Sequence, residues 1–286
     1  MLALVTGASS GIGLQYATEL AKQKHDLILV SNQEKEIVEA AQKLSHEYGI
    51  KAVGLYRNLA TTEAAEELHS YCKENNYDID ILINNAGVFF FNELVSTEMK
   101  RIEVMLQLHI ITVTKMCRLF GEDMKKKGSG YILNMSSMSA WMTMPGINVY
   151  NASKAFILNF SRSLWYELQP HNVGVTAICP GAVDTGLYGL SDYWRKIAVG
   201  LGISMRPEKL AQKALKKMYK KKKQYIPGWI NHLFIPLIKP IVPILTRSSR
   251  SIPVFSYFLA RNTTNLKLCS ISISFAFKSP SSFNSI

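Results

Sequence analysis

Cysteine is scarce in this chain: Cys72, Cys117, Cys179 and Cys269 are the four in 286 residues, and no C-x-x-C pair occurs. That excludes a disulfide scaffold or a cysteine-held zinc site as the organising idea, and no metal centre is expected. Glycine (17) and proline (10) stay at ordinary levels, which excludes collagen-like and disordered chains. No charged leader precedes Leu2-Ala3-Leu4-Val5, so the expected compartment is a reducing cytoplasm. Carboxylates all but vanish toward the end of the chain. Residues 206–286 hold 15 Lys+Arg against Glu208 alone, whereas residues 1–205 hold 18 against 20 Asp+Glu. A uniformly basic chain would suggest nucleic acid. A near-neutral body with a basic end suggests a local contact instead.

What is present is alternation. Short apolar runs at Leu2–Thr6, Leu27–Ser31, Ala52–Tyr56, Ile79–Asn84, Gly130–Met135 and Val173–Cys179 have the length and composition of buried strands. Helical stretches at 12–24, 34–48, 61–76, 97–127 and 148–168 separate them. The pattern predicts an α/β fold, a doubly wound parallel sheet with helices on both faces. A helix at 207–220 and a seventh strand near Gln224–Ile226 complete it. Residues 1–228 form the expected catalytic domain, with a lid over 186–204, and 229–286 a basic, apolar extension. Running into the extension, Ile226–Leu245 is long enough to span a membrane but carries four prolines. It reads first as a pocket wall, then as an interfacial patch, and only last as a span. Ser270–Phe277 alternates like an edge strand, and Ser279–Ile286 reads as a frayed end.

Thr6-Gly7-Ala8-Ser9-Ser10-Gly11-Ile12-Gly13 follows the first strand and opens the first helix. Glycines there permit a tight turn, a close backbone approach to pyrophosphate, and close helix–strand packing. The helix N-terminus adds unpaired N–H groups and partial positive charge. Gly7, Ser9, Ser10, Gly11, Ile12 and Gly13 are therefore candidate dinucleotide-binding residues. After the second strand, Ser31-Asn32-Gln33 offers no carboxylate before Glu34, and Lys35 is near enough to add charge. Nothing in this segment repels a 2′-phosphate, so Ser31 and Asn32 point to NADP over NAD.

Tyr150 and Lys154 stand four apart, which on a helix places both on one face. An ammonium beside the phenol favours the phenolate and makes Tyr150 a proton donor or acceptor near neutrality. Ser137 ends a strand thirteen residues upstream, where a hydroxyl can bond a carbonyl.

With these motifs in this order, residues 1–228 resemble the short-chain dehydrogenase/reductase family in its single-domain form. Asn84-Asn85-Ala86-Gly87 is similar to its NNAG motif, and Pro180-Gly181-Ala182-Val183-Asp184-Thr185 to its PGxVxT segment. The resemblance implies hydride transfer between a nicotinamide and a carbonyl or alcohol carbon. Tyr150 would be the general acid, Lys154 would bind the ribose, and Ser137 would orient the carbonyl. It adds Asn58, Leu59, Asn85, Ala86, Gly87, Pro180, Gly181, Val183 and Thr185 to the cofactor residues, beside Tyr150 and Lys154. It also implies a homo-oligomer formed through the helices at 97–127 and 148–168.

The sequence departs from the family in three places, of which the first is the missing acidic NAD discriminator after the second strand. His109 stands where the family has an Asn; the expectation is that it keeps the proton relay working, one nitrogen holding a water and the other bonding the protein. Asn58 replaces an Asp, and its amide oxygen is expected to accept from the adenine amino group. The apolar lid, with Leu187, Tyr188, Tyr193 and Trp194, and Trp141, Met142 and Met144 predict an apolar acyl, lipid or steroid-like carbonyl substrate. The segment after residue 206 loosely resembles reducers of long-chain 3-oxoacyl groups. Its lysine run at 216–223 suits an acyl carrier, coenzyme A phosphates or anionic lipid heads, or is simply a solvated helix end. The rival reading is a cofactor-binding regulatory or scaffold protein with impaired turnover. Nucleic-acid binding is not expected, since no recognition motif accompanies the lysines.

Overall fold

A computed structural model describes residues 1–183 and 204–228. Expectations placed on Thr185, on 186–203 and beyond residue 228 lie outside the described residues. The chain begins with β1 (Leu2–Thr6), α1 (Gly11–Lys22), β2 (Asp26–Ser31), α2 (Glu34–Tyr48) and β3 (Ala52–Tyr56). It continues through α3 (Ala64–Glu74), β4 (Ile81–Asn84), α4 (Met99–Leu106), a π-helical segment (Gln107–Thr112) and α5 (Val113–Lys127). Then come β5 (Gly130–Met135), α6 (Asn148–Leu168), β6 (Val173–Ile178), the short pair β7 (Ala182–Val183) and β8 (Ser204–Met205), α7 (Pro207–Tyr219) and β9 (Gln224–Tyr225).

Seven strands form one parallel sheet in the order β3-β2-β1-β4-β5-β6-β9. Its strands read as continuous apolar runs because helices bury both faces. Alternate residues then serve opposite layers. Ala3, Val5, Leu27 and Leu29 pack with Tyr16, Leu20, Ile37 and Leu215 of α1, α2 and α7. Leu4, Ile28, Leu82 and Ile132 pack with Leu68, Met116 and Phe120 of α3 and α5. The chain leaves β1 toward β2 on one side and returns to β4 on the other, so a crevice opens at the C-terminal ends of β1 and β4. β7 pairs β8 in parallel, which brings Val183 beside Met205.

The lysine run is divided. Lys217, Lys221 and Lys223 lie over the rings of Tyr225, Tyr131 and Tyr166 at 5.5, 5.6 and 5.1 Å. These cations fasten the sheet's edge. Lys209, Lys213, Lys216 and Lys220, spaced four, three and four apart, stand exposed along the outer face of α7. Among the described residues, no helix is long and apolar enough to cross a membrane.

Candidate active site

At the crevice, β1 ends and α1 begins through the glycine loop. Gly13 has no alternative there: a Cβ would sit 2.0 Å from the Gly7 carbonyl oxygen. The loop is tied to the end of β4 by side-chain and backbone bonds. The Asn85 and Ala86 N–H groups donate to Thr6 Oγ1 at 2.9 and 3.0 Å, and Asn85 Nδ2 donates to the carbonyls of Thr6 and Gly7. A Cβ on Gly7 would meet Ala86 Cα at 2.9 Å, so two backbones approach as closely as they can. Across the sheet, Asn84 Nδ2 donates to Asn134 Oδ1 at 2.8 Å and Asn134 Nδ2 to Ser161 Oγ at 2.9 Å. This buried polar ladder fixes β4, β5 and α6 relative to one another.

A cavity of about 580 Å³ runs along the strand ends. From the glycine loop come Gly7, Ser9, Ser10, Gly11 and Ile12; Gly13 lies behind them in the packing. Ser31 and Asn32 line one end and Asn58 and Leu59 stand beside them. Asn85, Ala86 and Gly87 form the floor, and Pro180, Gly181 and Val183 close the far wall. Ser137, Tyr150, Lys154 and His109 meet at that far end. Sequence reasoning did not assign Arg57, Gln33, Val88, Leu108 or Ser136, which line the cavity too. Arg57 had a signal, since it directly precedes Asn58 at the end of β3. Lys35 is exposed on α2, 4.0 Å from Glu39, and does not line the cavity, whereas Arg57 does.

The cavity fits a dinucleotide. The first turn of α1 presents its N–H groups to it. Beside the glycine loop Gln33 N–H donates to Ser31 Oγ, the Ser31 and Ser9 hydroxyls lie 2.9 Å apart, and Ser9 Oγ donates to Gln33 Oε1 at 2.6 Å. These neutral polar groups and Arg57 surround the place after β2 where an NAD-selective site carries a carboxylate. Asn58 Oδ1 already accepts from Ala60 N–H at 3.0 Å, so one lone pair of that oxygen is left for an adenine amino group.

The far end holds the chemistry. Lys154 Nζ donates to the Met135 carbonyl at 2.9 Å and lies 5.5 Å from the centre of the Tyr150 ring. Burial pulls the Lys154 ammonium down to about 8. Ser137 Oγ accepts from Ser139 N–H at 3.1 Å, which leaves its O–H to donate to a carbonyl oxygen. Cys179 is also buried nearby, and burial raises its thiol to about 12, which disfavours the thiolate. His109 is 1% exposed, and both ring nitrogens bond protein groups: Nε2 accepts from Val88 N–H at 3.2 Å and Nδ1 lies 2.9 Å from Ser153 Oγ. The expected water on one nitrogen therefore gives way to Val88 and Ser153.

A nucleotide-binding α/β oxidoreductase is the class that this sheet, its glycine loop and the Tyr150–Lys154 pair define. Within that class the chain belongs to the short chain dehydrogenase family, whose model matches residues 1–195. It is 30% identical over 193 residues to the probable oxidoreductase EphD of Mycobacterium tuberculosis, covering 67% of this chain and 32% of that protein. It is 31% identical over 196 residues to the very-long-chain 3-oxoacyl-CoA reductase of Anas platyrhynchos, covering 66% and 62%. The chain thus spans about a third to three-fifths of the length of these relatives. Among solved structures it resembles a short-chain dehydrogenase from Sphingobium yanoikuyae in complex with NADPH, at 30% identity and a TM-score of 0.72, covering 80% and 88%. These relatives are named as an oxidoreductase and a reductase and the solved neighbour as a dehydrogenase, so the scaffold reading is not favoured.

Proposed function

We propose that this chain is an NADP(H)-dependent reductase of apolar ketones, acyl or ring-bearing. The observation that carries the reading is the apolar collar at Tyr150. Phe89 meets the Tyr150 ring edge-on at 5.0 Å, and Val88, Phe90, Met144 and Val149 pack around Tyr150, Met105 and Ile147. Such a collar excludes water from the reacting carbon and favours hydrocarbon over sugar. Met144 is part of this cluster, whereas Trp141 packs with Leu158 and Cys179. The name of the Anas relative supports an acyl substrate.

When bound, the nicotinamide supplies the hydride in reduction and accepts it in oxidation. The Ser137 hydroxyl orients the carbonyl, and Tyr150 delivers the proton to its oxygen. The Lys154 ammonium holds the nicotinamide ribose and sustains negative charge on the phenol oxygen. The glycine loop, Ser31, Asn32, Asn58, Asn85, Ala86, Gly87, Pro180, Gly181, Val183 and Thr185 bind the dinucleotide, with Gln33 and Arg57 at the 2′-phosphate. The lysine ridge of α7 meets an anionic carrier of the substrate: coenzyme A phosphates, the acidic face of an acyl carrier, or lipid headgroups. The half-exposed Leu106 and Ile111 support a homo-oligomer through α4, α5 and α6. Following NADPH absorbance over 3-oxoacyl thioesters, steroid ketones and keto-sugars tests the assignment. Turnover of the first two classes is expected, and a preference for keto-sugars overturns it.

A further inference from the structure

The hydrogen bonds around His109 run in one direction. Val88 N–H can only donate, so Nε2 is the bare nitrogen. The ring's single proton is then on Nδ1 and points at Ser153 Oγ, 2.9 Å away. Ser153 in turn donates its hydroxyl proton to the Tyr150 carbonyl at 2.8 Å. The series Val88 N–H, imidazole, Ser153 hydroxyl, Tyr150 carbonyl therefore has a donor and an acceptor correctly placed at every step. The ring is also wedged. A Cβ on residue 87 would lie 2.7 Å from Nε2, so only glycine lets the imidazole in, and the Tyr150 ring stands edge-on to it at 5.8 Å. The helix widens into its π segment at this residue.

We propose that His109 is a positioning residue: a permanently neutral strut, fixed as the Nδ1–H tautomer, that sets the Tyr150 backbone against the loop after β4 through Ser153. It acts through the placement of Tyr150. Protonation would put a second donor on Nε2 facing Val88 N–H, deep in the protein. The titratable and charged groups facing the ring are Lys154 and Tyr150, both on α6, while the loop after β4 presents Gly87 and the Val88 N–H. Burial first, and then the Lys154 ammonium, hold the imidazole well below the ordinary histidine range.

The inference rests on Tyr150 as the proton donor, and the test separates the two. Nitrogen-15 spectra of the unaltered protein should show an Nδ1–H imidazole that does not titrate between about pH 5 and 8. An Nε2–H tautomer, or titration near 6.5, overturns the strut. His109→Asn and Ser153→Ala should each lower kcat on the order of 10–100-fold, since a small misplacement of the reacting group costs that much. Cofactor KM should change by less than about twofold. The double variant should lose about as much as either single one, because both break the same series. Multiplied losses contradict it, and so does a change confined to KM. Retained turnover in Tyr150→Phe would remove the proton-donor reading while the spectra still judge the tautomer.

Discussion

Arg57 lines the cavity together with Ser31 and Gln33, and the proposed use of NADP(H) assigns it to the ribose 2′-phosphate. A charge-assisted hydrogen bond contributes about 1.5–3 kcal/mol, so Arg57→Gln should weaken NADPH binding roughly 10–100-fold and leave NADH nearly unchanged. Titrating both cofactors by fluorescence checks this, and equal loss for the two would refute a phosphate role. Lys154 gives a pH prediction with two opposite signs. Its ammonium, pulled to about 8 by burial, is lost as the pH rises through that value. Reductive kcat/KM should therefore fall above about pH 8, where the cation beside Tyr150 disappears. Stability should move the other way. Between about 8 and the unfolded lysine value near 10.4 the unfolded chain binds more protons, so this group's contribution to stability grows with pH. A pH–rate profile together with melts across the same range checks both limbs. An activity limb lying only above about 10 would contradict the shift.

Elements of the sheet were legible because a strand buried on both faces leaves a nearly continuous apolar run, as Leu27–Val30 does without a break and Val173–Ile178 does with Thr176 as its one polar side chain. The glycine loop, the end of β4 and the Tyr150–Lys154 helix were legible because each needs particular residue types at fixed spacing. The π segment at Gln107–Thr112 was not. The apolar period of 97–127 fits one continuous helix, and the widening occurs where His109 enters the space beside Gly87, a tertiary contact no local pattern encodes. Arg57 was missed for the same reason: pairing of β2 with β3 brings the end of β3 to the cavity, a contact between strands that no local pattern encodes. The tightest local demand is at Gly13. Its missing Cβ would overlap the Gly7 carbonyl oxygen, a backbone atom that cannot step aside. Gly13→Ala should cost at least about 2 kcal/mol, read as a lower denaturation midpoint, with cofactor affinity falling in parallel. An unchanged midpoint would contradict the close approach of α1 to the loop.

On the scale of the whole molecule, charge is divided between a near-neutral body and a basic end, and α7 carries the visible part of that division. Its apolar side, with Leu210, Leu215 and Met218, is buried against the sheet, and its lysine ridge faces outward. Replacing Lys209, Lys213, Lys216 and Lys220 by Glu should lower kcat/KM for acyl-coenzyme A substrates and flatten its dependence on salt. Turnover of small neutral ketones should stay unchanged, because long-range attraction acts only on a charged carrier. Equal losses on both substrates would contradict the carrier role. The central claim is that Tyr150, inside its apolar collar, protonates a ketone as NADPH is oxidised. The most direct measurement is single-turnover NADPH oxidation with a long-chain or ring-bearing ketone, for the parent and for Tyr150→Phe, with cofactor affinity measured on both. The account predicts turnover by the parent, a loss of roughly 10²–10⁴ in rate for the variant, and cofactor binding preserved. A variant rate within about threefold of the parent, far short of what general acid catalysis supplies, would contradict it.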